Sequence, residues 1–376
     1  MKLFIRLLIV SIIALIFLGC VLVFSASTVK SATEANVPYL YFKSHLWKVV
    51  IAFLLMIIFS TVIKPEDIYK YDKHILFTTI ALLILTLFIG IKVNGARRWI
   101  DLGFIPFQPS ELAKIVIIIH LAKVIDIKKE KIRDFKKGFM LALVVVGVFA
   151  ILIIAQPNVS TSILLVLLAF SVLFAGGAKL KHIFGTLGAG LVAAGSAAMI
   201  MPHSRERIMN FIHSFINGTD MTKQVLQAKI ALGSGGLWGL GFGESKQSNL
   251  FVPEPYTDFI FSILGEERGF IGTSIVLFLY ILIFAAGIII ALKSDSTFKQ
   301  LMVFGLSFNI ILTAFINAAV VTGSVPTTGI TLPFISFGGT SILVYCVSIG
   351  IIINVGMERV RFKTARAAAA TATVEA

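Results

Sequence analysis

The sequence predicts an all-α polytopic membrane protein with ten transmembrane helices. Hydrophobic residues make up 57% of the 376 residues and charged residues only 14%, a balance that is typical of membrane-embedded chains. A helix needs about 20 apolar residues to span the hydrocarbon core of a bilayer. Ten segments qualify as spans, and they lie near 4–25, 45–63, 74–91, 110–126, 138–156, 160–176, 183–201, 258–291, 299–322 and 335–356.

Three of the ten segments have features of their own. The first, Leu3 to Phe24, is too long for the apolar core of a typical signal peptide, and no small-residue cleavage pattern clearly closes it. We therefore expect a retained helix. The fourth segment is the least apolar, and the eighth is long enough to tilt or to project from the bilayer. The sequence shows no convincing internal repeat, which counts slightly against a transporter built from inverted halves.

The distribution of basic residues predicts the orientation of the bundle. With the N-terminus in the cytoplasm, the inner segments hold nineteen Lys and Arg residues and the outer segments eleven. Such an excess marks the cytoplasmic side. We therefore expect both termini in the cytoplasm and one ten-helix membrane domain over 1–357. A large extracytoplasmic loop, 202–257, would join helices 7 and 8, and a basic, then Ala-rich tail over 358–376 would be disordered.

The composition disfavours several classes of function. The net charge of +14 is spread over short clusters between apolar runs, so nucleic acid is not an expected partner. Cys20 and Cys346 lie in apolar segments and indicate neither a disulfide framework nor a metal site. The six histidines lack HExxH spacing, and no GxSxG elbow occurs. The stretch 233–243, GSGGLWGLGFG, lacks the strand and helix that flank a phosphate loop, so we expect a tight re-entrant turn.

The polar stretches that are interrupted by Gly and Pro all fall on the predicted outer side. They are 94–111 (NGARRWIDLGFIPFQPSE), 156–161 (QPNVST), 202–257 and 325–341 (VPTTGITLPFISFGGTS). Irregular backbone at membrane depth is tolerated only where protein or a water-filled cavity covers it. The simplest explanation is one outward-facing site assembled from several loops, with 325–341 lining a cavity.

The acidic stretch 251–270 (FVPEPYTDFIFSILGEERGF) contains the best candidate for a catalytic base. Ionisable groups in a membrane helix are costly and are therefore functional candidates. Asp258 lies at the outer start of the eighth segment, where a helix N-terminus favours the ionised carboxylate that a base requires. The plain alternative is a helix cap, combined with an internal ion pair from the deeper Glu266 or Glu267 to Arg268.

The cationic candidates for binding a diphosphate lie just before the fourth segment and in its first turns. Arg97 and Arg98, beside Trp99, make a plausible clamp because arginine binds phosphate oxygens in bidentate fashion, although they could also lie at the lipid headgroups. Glu111 and Lys114 are three residues apart and share a helical face. They form either a structural ion pair or a site wall in which Lys114 meets a phosphate.

Four motifs occur in the order found in a known family. GARRWIDLG with FQPSELAK, QPNVSTS, PEPYTDFIFSILGEERGFIG and VPTTGITLPFISFGGTS together resemble the SEDS family (shape, elongation, division and sporulation), which includes FtsW and RodA. The resemblance covers roughly 1–357 and looks closer to the FtsW and sporulation branch. It implies a ten-helix fold and a peptidoglycan glycosyltransferase of the bacterial cytoplasmic membrane, which polymerises lipid II at an extracytoplasmic active site.

The resemblance also implies roles for residues and partners. The essential aspartate of the family matches Asp258, the Trp of its GAxRW motif matches Trp99, and the Glu and Lys of QPSExxK match Glu111 and Lys114. The turn after the fifth helix usually reads PDxGT in the family; Asn158 stands here in place of the aspartate, which keeps hydrogen bonding but loses the charge. The implied partners are a class B penicillin-binding protein, which is a transpeptidase, and other membrane proteins of the division or elongation machinery.

These inferences combine into the hypothesis of inverting glycosyl transfer with Asp258 as the base. A divalent cation, Mg²⁺ or Mn²⁺, is a candidate cofactor. The alternatives are a lipid II flippase and a non-catalytic scaffold of a division complex. Besides Asp258, the residues predicted to bind the substrate or its diphosphate are Arg97, Arg98, Trp99, Gln108, Ser110, Glu111, Lys114, Asn158, Glu254, Thr257, Glu266, Pro326, Thr327, Gly338 and Gly339.

Overall fold

The computed structural model describes residues 1–35, 37, 39–93, 95–103, 105–217, 223–248 and 254–372. Within these ranges the chain is mostly helical. The α-helices of the described part are α1 (Lys2–Ala35), α2 (Leu40–Thr61), α3 (Pro65–Ile89), α4 (Pro109–Lys128), α5 (Met140–Ala155), α6 (Val159–Ala175), α7 (Leu180–Ile200), α8 (Pro202–Asn217), α9 (Lys223–Ser234), α10 (Ile260–Leu292), α11 (Thr297–Val321) and α12 (Thr340–Ala372).

All ten predicted segments coincide with helices, namely α1 to α7 and α10 to α12. Seven stretches of the described part are long and apolar enough to cross a membrane: Lys2–Thr28, Leu40–Thr61, Pro65–Ile89, Phe135–Ala155, Ile260–Leu292, Thr297–Val321 and Thr340–Arg361. Val159–Ala175 and Leu180–Ala193 are apolar but shorter. The number, length and hydropathy of these helices confirm the prediction of a multi-pass helical membrane protein.

Helix α4, the least apolar predicted span, lies in the centre of the bundle. It packs against α3, α5, α6, α11 and α12, and most of its side chains are buried. A central helix faces protein on nearly every side, so it can carry Glu111 and Lys114 without presenting them to lipid. The position of α4 explains why the most polar span is also one of the best packed.

The structure adds elements that the all-α prediction omitted. Three short strands, β1 (Ile91–Val93), β2 (Ala96–Asp101) and β3 (Pro106–Phe107), form an antiparallel sheet in the order β1-β2-β3. The predicted outer loop 202–257 contains α8 and α9. Helix α12 continues through Ala372 into the tail that the sequence predicts to be disordered, consistent with the high helix propensity of alanine.

The glycine-rich stretch 233–243 forms the expected tight turn, and its backbone packs directly against α10. Helix α10 is interrupted at Gly269, whose φ of 64° is not helical. The interruption leaves backbone groups free to bond the turn. Leu240 N donates to Glu266 O at 2.9 Å, and Phe270 N donates to Gly236 O at 2.8 Å. A Cβ on Gly235 would lie 1.9 Å from Gly265 O, so the approach of the turn to α10 requires glycine there.

Gly239→Ala is expected to destabilise the protein by about 2–5 kcal/mol. Gly239 has a φ of 86°, and a Cβ atom there would lie 2.2 Å from Glu267 O. Both the left-handed backbone and the overlap with a backbone oxygen oppose the substitution. Thermal unfolding in detergent checks this prediction. Gly233→Ala is the matched control, since a Cβ there has no atom within 4 Å; equal melting temperatures for the two variants would contradict the packing.

Candidate active site

Asp258 lies in the turn that leads into α10. The N-cap of α10 is Phe259, which makes no side-chain capping hydrogen bond, and Asp258 precedes it. Asp258 is half-buried. The Thr257 hydroxyl lies 3.0 Å from Asp258 Oδ1 and 2.7 Å from Glu254 O, and its single proton can serve either acceptor. The turn thus holds the half-buried carboxylate at one end of the helix bundle.

Asn317 of α11 joins the Asp258 turn to the loop between α11 and α12. Its amide nitrogen Nδ2 donates to Asp258 O at 2.7 Å and to Ile330 O at 2.8 Å. The side chain is 1% exposed. Gly329 of the same loop lies against the carboxylate, since a Cβ there would be 3.9 Å from Asp258 Oδ2. Asn317 was not among the predicted site residues, although an asparagine in an apolar helix was a usable signal.

The end of this loop contacts the Asp258 turn a second time and also the start of α4. Phe337 N donates to Tyr256 O at 2.8 Å. Gly338 and Gly339 follow, and a Cβ on Gly339 would lie 3.1 Å from Pro106 O. The hydroxyl of Thr340 then accepts from Gln108 N at 2.7 Å and donates to Pro106 O at 3.1 Å. The predicted residues Gln108, Gly338 and Gly339 therefore lie together.

The loop 325–341, which the sequence predicts to line a cavity, packs against neighbouring helices at its middle. Phe334 and Ile335 are buried. A Cβ on Gly19 of α1 would lie 2.7 Å from Ile335 Cα, and the Tyr280 hydroxyl of α10 donates to Pro333 O. Pro326 and Thr327, at the start of the loop, are half-buried and irregular. We find that neighbouring helices supply the cover that irregular backbone needs in a bilayer.

Ser110 connects the start of α4 to the turn before α6. Its hydroxyl lies 3.1 Å from Gln108 Nε2 and 3.5 Å from Asn158 Nδ2. Asn158 is 5% exposed. Arg98 of β2 holds the same turn by donating to Gln156 O at 3.4 Å and to Pro157 O. The motifs at 94–111, 156–161, 254–258 and 325–341 thus form one continuous network.

The two arginines of the predicted diphosphate clamp do not form a pair. Arg97 donates to Phe88 O at 2.7 Å and Leu87 O at 3.3 Å, and so closes the C-terminal end of α3, where a cation is favoured. Arg98 bonds the 156–157 carbonyls instead. Successive side chains of a strand point to opposite faces, which separates them. Trp99 is half-buried and lies opposite Ile91 in the sheet.

Glu111 and Lys114 form a buried ion pair. Lys114 Nζ lies 2.9 Å from Glu111 Oε2 and 3.3 Å from the Tyr345 hydroxyl, and the lysine side chain is 1% exposed. These contacts favour the structural ion pair over the site wall, because the buried Lys114 ammonium is already neutralised by a carboxylate.

The remaining acidic candidates have local partners. Glu266 is buried and accepts from Lys246 N at 3.1 Å and from Gln247 N at 3.2 Å, so it holds the 245–248 segment on α10 and does not face a substrate. Glu254 forms an exposed ion pair with Lys30 at 3.6 Å. Arg268 is exposed, and its guanidinium lies 5.6 Å from the Phe242 ring. The ion pairs among the described residues do not include one from Arg268 to Glu266 or Glu267.

In the part of the chain that the structure describes, no group of three or more His, Cys, Asp and Glu side chains is arranged to hold a metal ion.

The chain matches a family model described as "Cell cycle protein", FtsW/RodA/SpoVE, over residues 5–361. It is 36% identical over 345 residues to a probable peptidoglycan glycosyltransferase FtsW of Geobacter sp. strain M18, covering 90% of this chain and 92% of the relative. It is 34% identical over 355 residues to the stage V sporulation protein E of Bacillus subtilis, covering 93% and 96%.

Two solved structures share the fold at 24% sequence identity. The crystal structure of the Thermus thermophilus rod shape determining protein RodA superposes with a TM-score of 0.70, over 94% of this chain and 96% of that chain. A chain from a peptidoglycan synthase complex, described as coordinating polymerization and crosslinking, superposes with a TM-score of 0.76, over 94% and 97%.

Proposed function

Because this chain belongs to the FtsW, RodA and SpoVE family, we propose that it is a peptidoglycan glycosyltransferase that polymerises lipid II into glycan strands during cell-wall synthesis. The observation that carries the proposal is the network around Asp258. The structure brings a half-buried carboxylate to the junction of four separate polar motifs at one end of an otherwise apolar bundle.

In the proposed reaction, Asp258 acts as the general base. Its carboxylate takes the proton from the 4-hydroxyl of the acceptor sugar, and the oxygen attacks the anomeric carbon of a second, lipid-linked chain. The new glycosidic C–O bond forms as the bond to the diphosphate oxygen breaks, so the configuration at the anomeric carbon inverts. The diphosphate leaves as an anion and needs no general acid, so one carboxylate is sufficient.

The residues around Asp258 supply position and not further acid–base chemistry. Asn317 fixes the peptide carbonyl of Asp258, and the Thr257 hydroxyl contacts its carboxylate. Bonds from Asn317 and Phe337 attach the loop 325–341 to the Asp258 turn. Precise placement of a reacting group provides a large share of enzymatic rate enhancement. A divalent cation, Mg²⁺ or Mn²⁺, remains a prediction, and no step above depends on it.

We propose ten membrane spans, with both termini in the cytoplasm and the site on the outer face. Helix α4 supports this orientation. Its first residues, 109–111, belong to the site, and its other end leads into the basic block 128–137. At 1.5 Å per residue its 20 residues cover about 30 Å, the thickness of the hydrocarbon core. The basic block therefore lies at the opposite end from Asp258, on the side where positive charge accumulates.

The proposed partners are lipid II and a class B penicillin-binding protein. The structural similarity to a chain of a peptidoglycan synthase complex supports a partner that crosslinks the strands which this chain makes. Other membrane proteins of the division or elongation machinery belong to the same proposal.

The test is polymerisation by the purified full chain, with and without its transpeptidase, supplied with labelled lipid II. Glycan strands resolved on a gel are the expected product. Lipid II that crosses vesicle membranes without being polymerised, even with the partner present, would instead support the flippase. If the chain shows neither polymerisation nor translocation, the non-catalytic scaffold is the alternative that remains.

Asn158→Asp is expected to raise the polymerisation rate by about fivefold, the equivalent of ~1 kcal/mol. The side chain is buried beside Ser110, and Arg98 already bonds the carbonyls of the two preceding residues. A carboxylate there can accept from the Ser110 hydroxyl and add attraction to the guanidinium. Initial rates with labelled lipid II measure the effect, with Asn158→Ala as the comparison. A rate at or below that of the wild type would show that the charge is not what this turn lacks.

A further inference from the structure

Helix α2 presents two buried basic side chains, His45 without a hydrogen-bond partner and Lys48 without a counter-charge among the described residues. His45 and Lys48 are 0% and 4% exposed, and their spacing places them on one helical face. Neither ring nitrogen of His45 has a hydrogen-bond partner. The Lys48 ammonium lies 4.2 Å from the centroid of the Phe337 ring, and among the described residues no carboxylate lies within 4.0 Å of it.

The other buried lysines of the described part are neutralised. Lys114 Nζ lies 2.9 Å from Glu111, and Lys299 Nζ lies 2.7 Å from both Glu66 and Glu358. Burying an ammonium is costly, and a cation–π contact offsets only part of that cost. The Lys48 ammonium is therefore under-compensated in a way that the other two are not.

The basic pair is linked to the turn that holds Asp258 through aromatic residues. The Phe337 ring, which covers Lys48, contacts Tyr256 with centroids 5.4 Å apart, and Phe337 N donates to Tyr256 O. Tyr256 precedes Asp258 by two residues. Tyr41 stacks on Tyr256 at 5.1 Å. We call Tyr41, Tyr256 and Phe337 the aromatic platform; it separates Lys48 from the Asp258 turn by little more than one ring.

We propose that His45 and Lys48 bind the phosphate groups of a lipid-linked diphosphate beside Asp258, an assignment that rests on the proposed function. An ammonium and an imidazole N–H are both suitable donors to phosphate oxygens. The cations that the sequence suggested for this role, Arg97, Arg98 and Lys114, already bond carbonyls or a carboxylate. The Phe337 ring lies over the ammonium, 4.2 Å from its centroid to Nζ, and borders the proposed site.

The experiment measures binding of labelled undecaprenyl diphosphate to the full chain in nanodiscs of zwitterionic lipid. Lys48→Met is expected to weaken binding about tenfold and to leave the melting temperature of the ligand-free protein unchanged or higher, because it removes a buried charge. Lys43→Met is the matched control, an exposed lysine on the same helix, and is expected to bind like the wild type. Lys48→Arg retains the charge and is expected to keep most of the affinity.

Three results would overturn the assignment. Lys48→Met could bind with unchanged affinity. It could fail to fold or melt well below the wild type, which would show that the lysine is a packing element. Phosphatidylglycerol added to the nanodiscs could displace the diphosphate from the wild type, which would assign the pair to phospholipid headgroups. Because binding is read without turnover, a wild type that binds through Lys48 but makes no polymer would contradict only the proposed function.

Discussion

Asp258→Asn is expected to reduce lipid II polymerisation by at least about 100-fold, because general-base catalysis typically contributes 10²–10⁴ in rate. The amide has the shape of the carboxylate but cannot accept the proton of the attacking hydroxyl. The fold is expected to remain intact. Asp258 precedes the N-cap of α10, and Asn317 bonds its backbone carbonyl, which the substitution leaves in place.

The measurement combines the initial rate of polymerisation with the melting temperature of each purified variant. Asp101→Asn is the matched control: Asp101 is an exposed carboxylate in β2 that accepts a local hydrogen bond from Gly103 N at 2.8 Å, and the variant is expected to polymerise like the wild type. A folded Asp258→Asn variant with the wild-type rate would remove Asp258 from the catalytic role.

Substitution of Asn317 is expected to produce the second largest loss. Asn317→Ala removes two hydrogen bonds at once and leaves the carbonyls of Asp258 and Ile330 without their donor. Each buried unsatisfied group costs about 1–3 kcal/mol, so the Asp258 turn and the loop should separate. We expect kcat to fall about 10- to 100-fold with a smaller change in KM, since the residue positions the base and does not touch the substrate.

Asn317→Asp separates positioning from packing. It preserves the side-chain shape but directs a carboxylate at two carbonyl oxygens, so it is expected to be less active than Asn317→Ala. Asn309→Ala is the matched control, because Asn309 is a fully buried asparagine on the same helix, two turns away, whose polar contact is with Thr313 of that helix. A fall in kcat for Asn309→Ala equal to that for Asn317→Ala would reduce the role of Asn317 to general stability.

Much of the fold followed from local sequence properties. Every predicted apolar segment coincides with a helix, because helix formation in a bilayer depends on the hydropathy of a single stretch. The re-entrant turn at 233–243 was recognisable because only glycine permits such close backbone approach. The resemblance to the SEDS family is confirmed by the family match over residues 5–361. The short strands β1 to β3 escaped prediction because two to six residues carry little periodic signal.

The site was predicted as a set of motifs but not as a set of contacts. The meeting of the stretches around Gln108, Asn158, Asp258 and Gly338 at one end of the bundle agrees with the prediction of a single site. The pairing of Arg97 with Arg98 and the exposure of Glu266 to substrate were wrong, since both depended on partners distant in the chain. Glu266, for example, is satisfied by backbone donors about twenty residues earlier.

The sequence by itself determined which stretches form long apolar helices, which carboxylate we propose as the base and which family the chain resembles. These depend on hydropathy, spacing and motif order, all of which are properties of contiguous residues. The tertiary structure alone decided which polar side chains are already satisfied and which are not. Lys114 and Lys48 are both buried lysines in helices of the bundle, yet one faces a carboxylate and the other an aromatic ring. That difference arises from helix packing, because the energy of a buried charge depends on neighbours that the linear sequence does not place.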